Sequence, residues 1–171
     1  MTDQEQKHQL GKSKEALILD NRQELTDAIA DMISQGRLNV CIFSHDLEPK
    51  IFNRETICQS IRQMIIENKR TKIQILVQDI EPIRKYDHCL LGLMRHLSSF
   101  VEIRKTSRQH ISYDHAFVTV DDCGYYHRHP QDSRQYEVCY NNRLQVKLLL
   151  DDFKEMWEQS LRATELLSLH I

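Results

Sequence analysis

The segment LNVCIFS, residues 38–44, is a short apolar run flanked by turn-forming residues, which predicts a buried strand. A second run of this kind, KIQILVQD at 72–79, predicts another buried strand. Between the two runs, residues 54–70 repeat Ile57, Ile61 and other apolar side chains at helix spacing. A strand, a helix and a second strand in this order indicate an α/β fold built on parallel strands.

The pattern continues on both sides of this unit. Upstream, NRQELTDAIADMISQGR predicts a helix in which Asn21 and Glu24 resemble a capping box and Gly36 marks the end. Downstream, residues 88–99 predict a further helix and VEIRK, at 101–105, a further strand. We therefore expect helices layered around a mostly parallel sheet.

The C-terminal third has a different pattern. HAFVTVDD and GYYHRH flank an Asp-Asp-Cys-Gly corner and predict an antiparallel hairpin, and YEVCY at 136–140 predicts one more strand. A long amphipathic helix is predicted from Asn142 onwards. The expected fold is a three-layer α/β sandwich with a central mixed, mostly parallel sheet that ends in this hairpin. It forms one domain at 15–162, with a flexible arm at 1–14 and a tail at 163–171.

Composition narrows the class of protein. The chain has 171 residues, 40% of them hydrophobic, which is typical of a single globular domain. A net charge of −2 gives no overall attraction to nucleic acid, which is therefore the less favoured partner. Five cysteines without CxxC spacing favour reduced thiols, and neither a signal segment nor a membrane span is predicted. We expect a cytoplasmic protein without a cofactor.

One strand of the hairpin carries the strongest functional signal. Alternation places His115 and Phe117 on one face of the strand. The run from His115 to Asp122 resembles the phospholipase D signature His-x-Lys-x-x-x-x-Asp, with the histidine and aspartate in register and Phe117 at the lysine position. The order of elements from about Asp20 to Arg162 is similar to one half of a phospholipase D-like protein, and also to uncharacterised bacterial domains that look like degenerate members of that superfamily.

The resemblance implies a phosphate-related function and also the loss of two parts of the active site. In active members the histidine attacks phosphorus, lysines neutralise the phosphate, and two motifs come together from two halves or a dimer. Here Phe117 replaces the lysine, and the downstream Gly-Ser-x-x-x-Asn-like segment is not found. We predict a non-catalytic module that binds a protein partner or a phosphate-containing anionic ligand. The alternative is a phosphodiesterase or phosphatidyltransferase-like enzyme that uses His115 across a homodimer, with Asp122 as its second candidate catalytic residue.

Ligand-binding candidates lie around this motif. A hairpin register that pairs Val120 with Tyr125 places Phe117 opposite Arg128, whose guanidinium would then supply positive charge near His115. The other interpretation of Arg128 is a cross-strand cation–π pair or a solvent-exposed side chain. The remaining candidates are His45, which ends a strand where ligands tend to bind in α/β sheets, and Asn142. The predicted ligand-binding set is His115, Arg128, His45 and Asn142.

A metal site is the third possibility. His127 and His129 are two residues apart and share a strand face, and Asp121, Asp122 or His110 would complete the ligand set. The same register places the two histidines on the face opposite His115. The competing interpretation is that they are histidines exposed to solvent or at the edge of the core.

Overall fold

The computed structural model describes residues 7–131 and 134–163, which form a mixed sheet with helices on both faces. The strands are β1 (Ala16–Leu19), β2 (Asn39–Ser44), β3 (Lys72–Val77), β4 (Val101–Lys105), β5 (Ala116–Val120), β6 (Gly124–Arg128), β7 (Tyr136–Cys139) and β8 (Leu161–Arg162). The helices are α1 (Arg22–Gln35), α2 (Pro49–Phe52), α3 (Glu55–Glu67), α4 (Glu81–Lys85), α5 (Cys89–His96) and α6 (Arg143–Glu158). The strand order across the sheet is β1-β7-β6-β5-β2-β3-β4-β8.

The predicted mixed sheet and its α/β class are confirmed, but parallel pairing is less extensive than expected. Strands β2, β3 and β4 pair in parallel. The other described pairs are antiparallel: β1 with β7, β7 with β6, β6 with β5, β5 with β2, and β4 with β8. The sheet is therefore a parallel centre extended by antiparallel strands, and the 115–129 hairpin lies in its middle.

Two apolar layers cover the two faces of the sheet. On one face, the larger core includes Leu25 and Ile29 of α1 and Ile61 of α3, and side chains of α5 join it. On the other face, α6 packs Leu149 and Phe153 against a smaller core. We call these the α1 face and the α6 face. The three-layer arrangement follows from the amphipathic pattern of the helices, whose apolar stripes are buried on the sheet.

Local sequence signals set the limits of α1. Asn21 precedes the helix, and its side-chain oxygen accepts hydrogen bonds from the backbone N–H groups of Gln23 and Glu24. Gly36 ends the helix and donates its N–H to the carbonyl of Ile33. Both limits agree with the predicted cap and stop.

The strands place several loops at a common edge, which we call the carboxyl edge. It is the edge at which Ser44, Val77 and Lys105 end β2, β3 and β4. Because β5 runs antiparallel to β2, the start of β5 at Ala116 lies at this edge, and so does the end of β6 at Arg128. In open α/β sheets this edge is where ligands bind.

The loop that follows β2 is held by a buried histidine. His88 is 1% exposed, its Nε2 lies 2.9 Å from the carbonyl oxygen of Leu47, and its Nδ1 accepts a hydrogen bond from the N–H of Leu90. Burial lowers the pKa of His88 to about 4. Leu47 has a φ of 59°, in the left-handed region, so this contact stabilises a conformation that leucine rarely adopts.

The cysteines differ from the expectation of five reduced thiols. Cys58 of α3 and Cys89 at the start of α5 form a disulfide with a Cα–Cα distance of 6.5 Å. Cys41, Cys123 and Cys139 are free and buried. Burial raises the pKa of Cys41 to about 12, so this thiol is not a nucleophile near neutral pH.

The segment predicted to be an N-terminal arm contacts the domain along its described part. Gly11 donates its N–H to the carbonyl of Tyr140, and the N–H of Leu10 donates to Gln35 Oε1. Residues 7–14 are therefore held against the fold. The predicted tail falls mostly at 164–171, outside the described residues. Within the described ranges, no helix combines the length and the apolar character needed to cross a bilayer.

Candidate functional site

Three histidine rings meet at the carboxyl edge on the α6 face. Nδ1 of His115 lies 2.9 Å from Nε2 of His127, and the two rings stack with their planes 13° apart. The ring of His129 lies with its centroid 5.2 Å from that of His115 and 5.9 Å from that of His127. We call these three residues the histidine cluster.

The register of the hairpin explains why the cluster forms, and it corrects the predicted register. Val120 pairs with Gly124, so Phe117 lies opposite His127, and Arg128 pairs with Ala116. The turn therefore contains three residues, Asp121 to Cys123. A register shift of one residue moves every side chain of a strand to the other face. The prediction that His127 and His129 lie away from His115 is therefore wrong.

His127 is the buried member of the cluster. It is 8% exposed, and its pKa falls to about 4 because burial disfavours the imidazolium and because His115 and His129 would add like charge. The hydrogen bond to His115 requires one ring nitrogen to donate and the other to accept. Near neutral pH, His127 is therefore a neutral group that orients the ring of His115.

Tyr113 and Asp152 border the cluster on the side of α6. The ring of Tyr113 lies 5.1 Å from that of His115, and its hydroxyl donates to Asp152 at 3.0 Å. Burial, followed by the negative charge of Asp152, raises the pKa of Tyr113. The site thus brings together imidazoles, a phenol and a carboxylate. Neither Tyr113 nor Asp152 was among the predicted site residues, because only the packing of α6 brings Asp152 to β5.

Phe117 fills the position at which the resemblance expects a lysine. Its side chain is 0% exposed. Its ring lies 5.8 Å from that of Phe43 and 6.2 Å from that of Phe153, in the core beneath α6. The position is a packed apolar site, in which an ammonium group would lose its hydration without gaining a partner.

His45 and Gln78 lie at the same edge. His45 is exposed at the end of β2, and its Nδ1 lies 3.0 Å from Gln78 Oε1. The amide nitrogen of Gln78 donates to the carbonyls of His110, Ile111 and Tyr113, at 3.0, 3.3 and 2.7 Å. One side chain thereby fixes the loop that leads to His115.

Arg128 shares the carboxyl edge but lies on the α1 face. Its Nη1 forms an ion pair with Glu48 at 2.6 Å, and the two side chains are 23% and 27% exposed. The predicted position beside His115, opposite Phe117, is wrong because of the one-residue difference in register.

The two remaining site candidates lie at the other edge of the sheet. Asp122 is in the hairpin turn, about 20 Å from His115 along an extended strand. Asn142 caps α6 by accepting a hydrogen bond from the N–H of Gln145, and its own N–H donates to the carbonyl of Cys123. The spacing Asn-x-x-Gln is a helix-cap signal that accounts for Asn142 without a ligand. Asp122 and Asn142 are therefore not part of the site around His115.

The two aspartates predicted as metal ligands are separated from His127 and His129, and the ring of His110 instead contacts Gln159, with its Nε2 2.7 Å from Gln159 Oε1. Asp121 and Asp122 lie at the turn, at the opposite edge from His127 and His129. Asp121 instead accepts hydrogen bonds from three consecutive N–H groups, those of Arg37, Leu38 and Asn39. Across residues 7–131 and 134–163, no group of three or more histidine, cysteine, aspartate or glutamate side chains is placed to hold a metal ion.

The mixed sheet with helices on both faces is an α/β fold that resembles the solved structures of phospholipase D-like proteins. Nuc from Salmonella typhimurium, a phospholipase D family member, has 13% sequence identity and a TM-score of 0.56, and the match covers 86% of this chain and 98% of Nuc. Phosphatidylserine synthase from Haemophilus influenzae has 17% identity and a TM-score of 0.57, with 90% of this chain and 41% of the synthase covered. The archaeal chromatin protein TrmBL2 has 12% identity and a TM-score of 0.62. The match covers 86% of this chain but only 54% of TrmBL2, so this chain spans about half the length of TrmBL2.

The family itself is shown by sequence. Residues 21–169 match the family described as Domain of unknown function (DUF7931), and the chain belongs to that family. No curated protein matches the sequence.

Proposed function

We propose that this protein is a non-catalytic phospholipase D-like module whose histidine cluster binds a phosphate-containing anionic ligand. The observation that carries the proposal is the burial of Phe117 between Phe43 and Phe153. Phosphoryl transfer depends on fixed positive charge placed where negative charge develops. A fully buried phenylalanine at the lysine position provides none.

The electrostatics of the cluster agree with binding rather than catalysis. Arg128 lies on the α1 face and is paired with Glu48, so it supplies no positive charge to the histidine cluster. His127 is neutral near pH 7 because its pKa is lowered to about 4. The imidazole N–H groups of His115 and His129 can donate hydrogen bonds to phosphate oxygens. Such donors hold an anion without the charge neutralisation that a transition state requires.

A binding role for a protein partner, or for a second copy of the chain, has separate support. Leu144 and Leu148 of α6 are 71% and 54% exposed, one helical turn apart. The match to Nuc covers nearly all of Nuc, whereas the match to the synthase covers 41% of that chain. These proportions fit one half of a two-motif assembly. A homodimer would contain two copies of His115. Light scattering that gives the mass of a monomer at micromolar concentration would rule out the homodimer.

The alternative function is a phosphodiesterase or phosphatidyltransferase-like reaction at His115 in such a homodimer. One observation favours it. Nδ1 of His115 is held by His127, while within the described ranges Nε2 makes no hydrogen bond. A histidine nucleophile needs one nitrogen oriented and the other open. Against it, the partner of Nδ1 is a second imidazole, which stabilises a positive ring less than a carboxylate does.

Hydrolysis of bis(p-nitrophenyl) phosphate separates the two functions. We expect no turnover by the wild type, by His115→Ala or by Phe117→Lys, with Phe117→Leu as the control for a change of core volume. Metal content is measured on the same preparations, and thermal unfolding shows which variants fold. Turnover by the wild type that is lost in His115→Ala would replace the binding proposal with the enzymatic one.

Binding itself is tested with inorganic phosphate, followed by NMR of the histidine side chains. We expect phosphate to shift the ring signals of His115 and His129 in the wild type and to leave the signal of His129 unmoved in His115→Ala. His96→Ala is the matched control, because His96 is an exposed histidine at the end of α5. Equal phosphate shifts in the wild type and in His115→Ala would contradict a site at the histidine cluster.

A further inference from the structure

A second surface at the carboxyl edge collects positive charge on the α1 face. A groove runs between the start of α1, the segment around α2 and the chain that leads into β7. Four cationic side chains line it: Arg22, Lys50, Arg54 and Arg134. Asp20 is the one carboxylate among its lining residues that the structure describes. We call this surface the Arg22 groove.

The cations of the Arg22 groove are exposed and carry no partner charge in the described part of the chain. None of the four takes part in an ion pair there, whereas Arg62, Arg84, Arg104, Arg128 and Lys147 do. Arg54 uses its Nε to donate a hydrogen bond to the backbone carbonyl of Lys50, which holds the Arg54 guanidinium beside α2. Several like charges along one groove attract a polyanion.

The groove continues towards an aromatic ring. An adjoining depression shares Arg22 and Lys50 and reaches Tyr86. Tyr86 is 57% exposed, and Nζ of Lys85 lies 5.5 Å from the centroid of its ring. Asp46 and Glu48 also border this depression. The carboxylate of Glu48 is paired with Arg128, and that of Asp46 remains as an acidic group beside the cations. The surface therefore offers a track of cations with a flat aromatic ring at one end.

We propose that the Arg22 groove binds single-stranded nucleic acid. Cations on long, exposed side chains suit a repeating phosphate backbone, whose bound counterions they displace. An exposed aromatic ring beside such a track is a surface on which an unpaired base can stack. The N-terminus of α1 is not counted as an anion-binding group, because Asn21 Oδ1 already accepts hydrogen bonds from the N–H groups of Gln23 and Glu24.

This site is independent of the phosphate-binding role of the histidine cluster. His115 lies on the α6 face, whereas the groove lies beside α1 and α2 on the α1 face. Arg128 points to the α1 face and pairs with Glu48, so its side chain lies on the opposite face of the sheet from His115. The overall charge of −2 does not oppose the proposal, since screening limits each phosphate to charges within about 10 Å.

The test uses the full chain and a fluorescein-labelled oligothymidylate of about 20 nucleotides, with binding followed by anisotropy over a range of salt concentrations. In Lys50→Gln/Arg54→Gln we expect affinity about tenfold weaker and a salt slope smaller by about 1.4, which is the loss of two contacts to a single strand. In Tyr86→Ala we expect a loss of about fivefold or more. The matched control is Arg70→Gln/Lys72→Gln, which removes two exposed cations at the opposite edge of the sheet and should leave affinity unchanged.

The outcomes separate this proposal from its competitors. No binding by the wild type, or equal weakening in the groove and control variants, overturns it. Equal affinity for a duplex of the same length overturns the assignment to single strands. A loss of oligonucleotide binding in His115→Ala would move the ligand to the histidine cluster and overturn the groove. Failure of inorganic phosphate to bind at the histidine cluster leaves the groove result unaffected, so the two proposals fail separately.

Discussion

Nδ1 of His115 and Nε2 of His127 lie 2.9 Å apart, so two histidines that are twelve positions apart in the chain share one hydrogen bond. One ring must donate and the other accept, and the bond is lost when both rings are doubly protonated. The protonation state of His127 therefore determines how the ring of His115 is held.

We expect His127 to titrate near pH 4 in the folded protein, because burial and the two neighbouring histidines oppose its charge. In His115→Ala the pKa of His127 should rise, since a positive neighbour is removed and water gains access. NMR of the ring protons against pH measures both values. A midpoint near pH 6.5 in the wild type would contradict the buried geometry.

His88 is expected to make stability depend on pH. Its pKa is about 4 in the folded protein and about 6.5 when unfolded, so the unfolded chain binds more protons between these values. The contribution of His88 to the free energy of unfolding should therefore be fully present above pH 6.5, and about 3 kcal/mol of it should be lost as the pH drops to 4. His127, whose pKa is also lowered to about 4, adds a loss of its own that persists in His88→Asn. Urea unfolding of the wild type and of His88→Asn across this pH range measures the contribution. If stability falls as steeply in His88→Asn as in the wild type, groups other than His88 cause the loss.

The Arg128–Glu48 ion pair is expected to stabilise the fold rather than to bind phosphate. Arg128→Leu should lower the free energy of unfolding by about 2 kcal/mol, because it leaves Glu48 partly buried without its partner. Glu48→Gln and the double variant complete a double-mutant cycle in urea. Phosphate binding at the histidine cluster should be unchanged in Arg128→Leu. Weaker phosphate binding in this variant would instead support the ligand-binding role of Arg128 that the sequence predicts.

Asp121 and Asp122 are adjacent, yet they should differ in their effect on stability. Asp121→Ala removes the acceptor of three backbone N–H groups and should cost about 3 kcal/mol. Asp122 is exposed, so Asp122→Asn should change stability by less than about 0.5 kcal/mol. Thermal and urea unfolding of the two variants provide the comparison. The reverse order would show that the aspartate in register with the phospholipase D motif is the structural one.

The Cys58–Cys89 bond should contribute to stability. It closes a loop of 31 residues, and its reduction should lower the free energy of unfolding by about 3 kcal/mol. A thiol titration in denaturant without reductant should detect three cysteines, namely Cys41, Cys123 and Cys139. Five reactive thiols in protein purified without reductant would show that the pair is reduced.

The central strands and α1 could be predicted from sequence because their signals are local. The apolar run that forms β2 and the cap at Asn21 need no knowledge of distant residues. The sequence does not indicate the edge strands β1 and β8, because they are short, at 4 and 2 residues, and partly or fully exposed. Such strands are specified by the neighbours with which they pair.

The candidate site was only partly predictable, for one physical reason. The turn between β5 and β6 contains three residues, and Asp121 and Asp122 both adopt positive φ, at 55° and 65°. Aspartate tolerates this conformation better than most residues, so a turn of three residues forms, whereas the predicted pairing of Val120 with Tyr125 requires a turn of two or four. The difference of one residue turns His127 towards His115 and Arg128 away from it.

Gln78 has a consequence for how any ligand would be received at the histidine cluster. Its amide nitrogen bonds three carbonyls of the loop before His115, and its oxygen contacts His45. The loop is therefore ordered before a ligand arrives, and little conformational entropy remains to be lost on association. Free and ligand-bound forms should superpose closely at this loop, and Gln78→Ala should slow association by making the loop find its bound shape first.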